Sequence, residues 1–248
     1  MKKVYGLIGF PLGHSFSKKY FTEKFSNEGI LDCEYKLFEL EGIDQLSDML
    51  KQEKDLKGFN ITIPYKEQIF PFLDQLDPHA KAIGAVNVVN IVNGKLIGHN
   101  SDYIGFRDTL SSFIDHKTVK NALILGTGGA SKAIAYTLKQ LDINFQFVSR
   151  KSDTGLISYD ELKQNGTLKK YQLIINTTPL GTFPNPEHAP DIPYQELSDQ
   201  HYLYDLVYNP SVTLFMKKGL EKGAKTINGY EMLVGQAEAA WQIWKDEI

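Results

Sequence analysis

Asn121-Ala122-Leu123-Ile124-Leu125-Gly126-Thr127-Gly128-Gly129-Ala130-Ser131-Lys132-Ala133 is an apolar run that ends in a glycine turn, after which Ser131 to Leu141 reads as a helix. Strand, glycine turn and helix in that order open a dinucleotide-binding βαβ unit. The glycines let the backbone turn sharply and approach a pyrophosphate, and the helix start offers unpaired N–H groups at the positive end of its dipole. Ser131 stands where the third glycine or an alanine of G-x-G-x-x-G would fall, and it is small enough for close helix–strand packing. Alone, the turn is equally compatible with a tight connection that binds nothing.

The next strand, Ile143 to Val148, separates the two readings. It ends in Ser149-Arg150-Lys151-Ser152, about twenty residues beyond the glycines, where NAD enzymes keep an acid for the ribose 2′-hydroxyl. Here two cations stand between hydroxyls. A guanidinium grips phosphate bidentately and serine donates to it, so the set suits a 2′-phosphate and predicts NADP over a merely solvated basic turn.

A chain of 248 residues has room for two modest domains or one large one. Its formal charge of −3 gives no polyanion-binding surface, hence no expectation of a nucleic-acid partner. One cysteine, Cys33, rules out an internal disulfide framework and fits a reducing cytosol; with nothing nearby to activate it, it reads as an inert thiol. Glycines and a proline break the apolar start, Val4 to Pro11, too early for a signal peptide, and no apolar run is long enough to span a bilayer. The expectation is a soluble cytoplasmic protein without a membrane partner. The six histidines are scattered, so no metal site is expected.

In chain order, Val4 to Phe10 reads as a strand, and Ser17 can cap a helix from Lys18 to about Glu28. Strands follow at Cys33–Phe38 and Gly58–Pro64, separated by a helix over Ile43–Leu50, and helices are predicted at Lys66–Phe72 and Pro78–Ile83. Asn93-Gly94 between Val86–Val92 and Lys95–Gly98 is a hairpin signal. A helix from Tyr103 to about Phe113 then bridges to the glycine fingerprint, placing a domain boundary near Tyr103. Beyond the fingerprint come a helix at Ser158–Lys163, a strand at Leu173–Asn176, a proline-rich loop at Phe183–Pro193 and a strand at Tyr202–Val207. A helix at Val212–Lys222, a short strand at Lys225–Ile227 and a last helix from Tyr230 to Lys245 complete the chain. That last helix carries Leu233, Ala237, Ala240, Trp241 and Trp244, too much apolar surface to hang free.

Ser15, Ser17, Asn60, Thr62, Lys66, Asn87, Asn100 and Asp102 sit where strands meet turns, the part of an α/β domain that commonly faces a ligand. Singly, each has a bland reading as a cap, a backbone partner or a surface residue. Together they form a hydroxyl- and amide-rich lining with one cation and one anion, suited to a small polyhydroxylated acid.

Gly13-His14-Ser15-Phe16-Ser17, Asn60 to Glu67, Gly84-Ala85-Val86-Asn87 and Gly98 to Gly105 strongly resemble the shikimate dehydrogenase family. So do the Gly126 to Ser131 turn, Asn176-Thr177-Thr178-Pro179-Leu180-Gly181, Asp205 to Pro210 and Asn228 to Gln236, in the family's order over nearly the whole chain. Ser101, Ser149 and Lys18 depart from the family's usual Thr, Asn and Pro. The resemblance implies a two-domain α/β fold: an N-terminal substrate domain (1–103 and 229–248) and a Rossmann-type NADP domain (104–228), with the last helix returning to the first. It implies NADP-dependent reduction of 3-dehydroshikimate to shikimate, on the route to chorismate and the aromatic amino acids.

By matching position, Lys66 and Asp102 would be the catalytic pair. Ser15, Ser17, Thr62, Asn87 and Gln236 would hold the substrate, with Asn60 and Tyr208 beside them. Gly126, Gly128, Gly129 and Ala130 would take the pyrophosphate, Ser149, Arg150, Lys151 and Ser152 the 2′-phosphate, and Thr177, Leu206 and Gly229 the nicotinamide side. Alternatives are a quinate/shikimate or aminoshikimate dehydrogenase of the same family, or a nucleotide-binding regulatory protein without catalysis. A homodimer is left open.

Overall fold

Short apolar runs bounded by glycine, proline and asparagine are strand-forming, and the longer amphipathic stretches between them supply the crossovers that parallel strands require. In the computed structural model, which describes residues 2–13, 15–150, 154–164 and 166–245, they assemble into two compact units, 1–101 with 237–248, and 102–236. The α/β architecture is the expected one.

The first unit contains β1 (Lys3–Gly9), α1 (Phe16–Asn27), β2 (Cys33–Glu39), α2 (Leu46–Gln52), β3 (Leu56–Ile61), β4 (Gln75–Leu76), α3 (Pro78–Ile83), β5 (Val88–Val92) and β6 (Lys95–His99). Its sheet runs β2-β1-β3-β5-β6-β4. β1 is flanked by parallel β2 and β3, while β5 and β6 form an antiparallel hairpin. The hairpin turns at Asn93 and Gly94, both at positive φ (52° and 77°), the two-residue geometry that Asn-Gly favours.

The second unit contains α4 (Asp102–Phe113), β7 (Asn121–Leu125), α5 (Gly129–Gln140), β8 (Asn144–Ser149), β9 (Leu156–Ser158), α6 (Tyr159–Leu162), β10 (Leu173–Asn176), β11 (Tyr202–Asp205), α7 (Leu214–Leu220), β12 (Lys225–Ile227) and the first half of α8 (Tyr230–Trp244). Its sheet is wholly parallel, in the order β12-β11-β10-β7-β8-β9. The chain starts in the middle at β7, winds outward one way, then returns to wind the other way from β10. This is the doubly wound arrangement whose ligand crevice lies at the carboxyl ends of the two strands where the winding reverses.

α8 belongs to both units, its second half from Ala237 lying in the first. There Trp241 and Trp244 pack with Tyr5, Phe21, Phe25 and Tyr35, and Trp244 Nε1 donates to Val89 O at 3.0 Å. The apolar face of the last helix thus docks on the N-terminal unit, as expected.

Several local expectations are corrected. No α-helix spans Lys66–Phe72: residues 63–69 form successive turns, followed by a single 3₁₀ turn at Phe70–Phe72. Pro71 lacks the N–H that a continuous helix would use to reach the Glu67 carbonyl. The cap of α1 is Ser15, which accepts from Lys18 N at 3.4 Å, so Ser17 lies inside the first turn. β4 and β9 are strands of two and three residues that carry no alternation long enough to read in sequence.

Candidate active site

In the first unit the winding reverses between β1 and β3, and the polar residues gather at the carboxyl ends of those strands. Gly9 closes β1 because a Cβ there would fall 2.4 Å from Thr62 Cγ2; glycine lets Thr62 lie against the strand end. Thr62 N donates to Ile8 O at 2.9 Å and Tyr65 N to Thr62 O at 3.0 Å, which starts the turns that carry Lys66. Lys66 O accepts from Val86 N at 2.8 Å, fixing the lysine's backbone to the residue before Asn87.

Asn87 is 2% exposed and is the hub of this network. Its backbone O accepts from Ile61 N at 2.9 Å and from Asn60 Nδ2 at 3.3 Å. Its side chain accepts from Ser101 N at 2.6 Å and donates to Ser101 Oγ at 3.1 Å. Asn100 Nδ2 donates to Ala85 O at 2.9 Å, completing a buried polar patch in which amides orient one another. Asp102, 5% exposed, follows Ser101 by one peptide bond and opens α4.

Tyr35, which sequence reasoning passed over, ties Ser17 to Asn60. Its hydroxyl donates to Asn60 Oδ1 at 2.7 Å and also hydrogen-bonds the Ser17 side chain. Burial pushes the phenol far above its ordinary range, with the Ser17 bond opposing. Nothing in the sequence marks it, because Tyr35 occupies one of the alternating buried positions of β2 and looks like core.

In the second unit the reversal lies between β7 and β10. Leu125 O accepts both Thr177 N at 3.0 Å and Thr177 Oγ1 at 2.7 Å, so the turn after β10 is fastened to the end of β7. Gly126 sits at φ +105°, a conformation L side chains rarely adopt, and a Cβ there would lie 2.9 Å from Thr177 Oγ1. A Cβ on Gly128 would meet nothing within 4 Å, so this glycine faces open space at the start of α5. α5 begins at Gly129, two residues earlier than the sequence suggests; its cap Gly128 makes no side-chain capping bond, and the first turn holds no acid. Gly129 and Ala130 therefore start a helix of twelve residues whose N–H groups and dipole are available to an anion.

β8 ends at Ser149, and exposed Arg150 follows at once. Lys151 and Ser152 lie outside the described residues. On the other side of β10, Leu206 N donates to Asn176 O at 3.0 Å and Gly229 N to Val207 O at 3.2 Å. A Cβ on Gly229 would fall 2.1 Å from Leu206 O, so only glycine allows these backbones to meet. Tyr208 is 38% exposed. α4 and α8 approach through Gly105, where a Cβ would lie 2.5 Å from Met232 O and 2.8 Å from Gln236 N, placing the start of α4 and Gln236 on two closely packed helices.

These donors fit a dinucleotide phosphate: glycines where a Cβ would be strained or would fill the approach, an uncapped helix start for the pyrophosphate, and a guanidinium at the end of β8. Among the described residues no three His, Cys, Asp or Glu side chains gather as they would around a metal ion, and no helix is long and apolar enough to cross a membrane. Burial and the neighbouring Asp32 push the Cys33 thiol up to about 11, so it is protonated and unreactive at neutral pH.

Known proteins share this architecture. Residues 7–89 match the family model for the shikimate dehydrogenase substrate binding domain. A shikimate dehydrogenase (NADP(+)) of Caldicellulosiruptor saccharolyticus is 39% identical over 264 residues, covering 100% of this chain and 94% of the relative. A crystal structure of a shikimate dehydrogenase in complex with NADP+ superposes with a TM-score of 0.89 at 34% identity, over 99% of this chain and 90% of that one. The Thermus thermophilus enzyme in complex with NADP(H) and shikimate gives a TM-score of 0.86 at 28% identity, over 99% and 94% of the two chains. With near full-length identity of this order and the same two-sheet architecture, the chain belongs to the shikimate dehydrogenase family.

Proposed function

We propose that this chain catalyses the reversible, NADP-dependent reduction of 3-dehydroshikimate to shikimate, with Lys66 moving the proton and Asp102 as its partner. The observation that carries the reading is the buried Asn60–Asn87–Ser101 network: it holds the backbone near Lys66 at one edge and leads by one peptide bond into Asp102 at the other. An amide-rich network of this kind orients a polyhydroxylated ring without needing a metal.

Reduction of a ketone adds a hydride to the carbonyl carbon and a proton to its oxygen. The nicotinamide, when bound, supplies the hydride. Lys66 gives its ammonium proton to the developing alkoxide and takes a proton back in the oxidative direction. Asp102 accepts a hydrogen bond from a ring hydroxyl and keeps the reacting carbon oriented. Ser15, Ser17, Thr62, Asn87 and Gln236 hold the remaining hydroxyls and the carboxylate, with Asn60 and Tyr208 beside them. The glycine turn and Gly129-Ala130 take the pyrophosphate, Ser149 to Ser152 the 2′-phosphate, and Thr177, Leu206 and Gly229 the nicotinamide side.

General acid–base catalysis contributes about 10²–10⁴ in rate. Lys66→Ala is therefore expected to lower kcat by at least about a hundredfold, with a much smaller change in KM. The assay is shikimate-dependent formation of NADPH, followed by its absorbance. Near-normal turnover in this variant removes Lys66 from the role, and absence of the reaction in the unaltered protein removes the function.

A further inference from the structure

Asp205 is fully buried at the end of β11, directly beside Asn176 in the parallel register of β10 and β11. Its Oδ1 accepts from Asn176 Nδ2 at 2.9 Å and Val207 N at 3.0 Å, and its Oδ2 from Thr213 Oγ1 at 2.5 Å. All three donors are neutral, and among the described residues no cation pairs with it. A buried carboxylate without a counter-ion is an expensive feature to retain for packing alone. Its position is specific: Asn176 precedes Thr177, and Asp205 precedes Leu206. The carboxylate thus lies immediately behind the two turns assigned to the nicotinamide side.

We infer that Asp205 sets the relative affinity of the site for the oxidised and reduced cofactors, its negative charge favouring the cationic nicotinamide of NADP+ over the neutral ring of NADPH. The inference rests on the proposed placement of the nicotinamide beside Thr177 and Leu206. Asp205 does not touch the cofactor; it acts through its field, in an interior that screens charge poorly. Three donated hydrogen bonds spread the charge without cancelling it, and a pKa raised to about 6 leaves the group ionised at pH 7.5. A unit charge about 10 Å away at an effective dielectric of 20–40 changes an equilibrium by at least roughly fourfold.

The test titrates the full chain at pH 7.5 with NADP+, NADPH and 2′,5′-ADP, a probe with the phosphates but no nicotinamide, reading dissociation constants by calorimetry. In Asp205→Asn, NADP+ is expected to weaken at least about fourfold relative to NADPH, with 2′,5′-ADP unchanged. Asp205→Ser, smaller and equally neutral, carries the same expectation should Asp205→Asn fail to fold. Thr213→Val breaks the same hydrogen-bond chain but keeps the carboxyl; because losing that bond raises the carboxyl's pKa, this variant and its parent are compared at pH 9, where the group is ionised and the NADP+ to NADPH ratio should stay as it is. Equal changes for the two cofactors in both neutral variants, or a ratio shift in Thr213→Val as large as theirs, overturn the inference. Leu206→Trp tests the placement separately: it should abolish NADPH binding and spare 2′,5′-ADP, and NADPH binding unaffected by it removes the placement and the inference together.

Discussion

Arg150 follows the last residue of β8, and its side chain is exposed. A charge-assisted hydrogen bond is worth about 1.5–3 kcal/mol, and only NADPH carries a 2′-phosphate to receive it. Arg150→Ala is expected to raise KM for NADPH at least about tenfold while leaving KM for NADH within about twofold; equal losses with both would show that Arg150 reads some other group. Asp205 makes a different prediction at the same scale. Burial raises its pKa from 3.8 to about 6, outweighing the bonds from Thr213, Val207 and Asn176 that pull the other way. The native state therefore binds this proton more tightly than the unfolded chain does. The stabilisation from protonation is complete below pH 3.8 and is lost as pH rises through about 6, up to about 3 kcal/mol in all. Urea titrations from pH 7 down to pH 5 should show the unaltered protein gaining stability relative to Asp205→Asn. A difference that stays flat with pH would mean that the carboxylate is ionised throughout.

The contact of α4 with α8 is decided by one missing side chain. In an ordinary helix, replacing glycine by alanine gains about 1 kcal/mol from propensity. At Gly105 the added Cβ would sit 2.5 Å from Met232 O and 2.8 Å from Gln236 N, backbone atoms that no rotamer change can move aside. Overpacking of this kind destabilises by about 1–3 kcal/mol, so strain outweighs propensity and Gly105→Ala should lower the urea midpoint. Because the displaced helices carry Asp102 and Gln236, KM for shikimate should rise while the Kd for NADP+ stays within about twofold; a variant more stable than its parent would refute the account. Elements built on such local signals are legible in the sequence. Glycines that break an apolar run mark β7 and α5, and Asn93-Gly94 marks the β5–β6 hairpin. The turns that carry Lys66 pass for a helix, because the apolar spacing through Ile69, Phe70 and Phe72 is helical and the veto comes from Pro71. The link from Tyr35 to Asn60 is illegible for another reason: it joins residues 25 positions apart on two strands that lie on either side of β1. The polar residues at strand ends can be picked out one by one from the sequence, but only the fold shows Asn87 as the hub that orients Asn60 and Ser101.

At the scale of the whole molecule, the N-terminal unit is discontinuous: residues 1–101 are completed by the segment from Ala237 onward. What fastens the two pieces is aromatic. Trp244 stacks on Tyr5 at 4.8 Å with an interplanar angle of 29°, meets Phe21 at 5.4 Å, and donates to Val89 O at 3.0 Å. Gly58 makes room for it, since a Cβ there would lie 2.3 Å from the indole nitrogen. A second fastening is ionic, with Lys24 held between Glu28 at 2.6 Å and Glu238 at 2.8 Å and the Tyr20 hydroxyl donating to Glu238. Glu238 remains partly exposed, so solvent screens this cluster and the indole contributes more. Removing a buried tryptophan side chain costs about 3–5 kcal/mol, and Trp244 is 6% exposed. Trp244→Ala should lower stability in urea by that amount, and the loss should fall on the first unit, because among the described residues the cores of 102–236 contain no side chain from the last turns of α8. Limited proteolysis of this variant is expected to cut within residues 1–101 before it cuts within 102–236, and 2′,5′-ADP should protect the second unit further by binding its folded form. Stability within about 1 kcal/mol of the parent, or first cuts inside residues 102–236, would show that the C-terminal helix does not hold the discontinuous unit together.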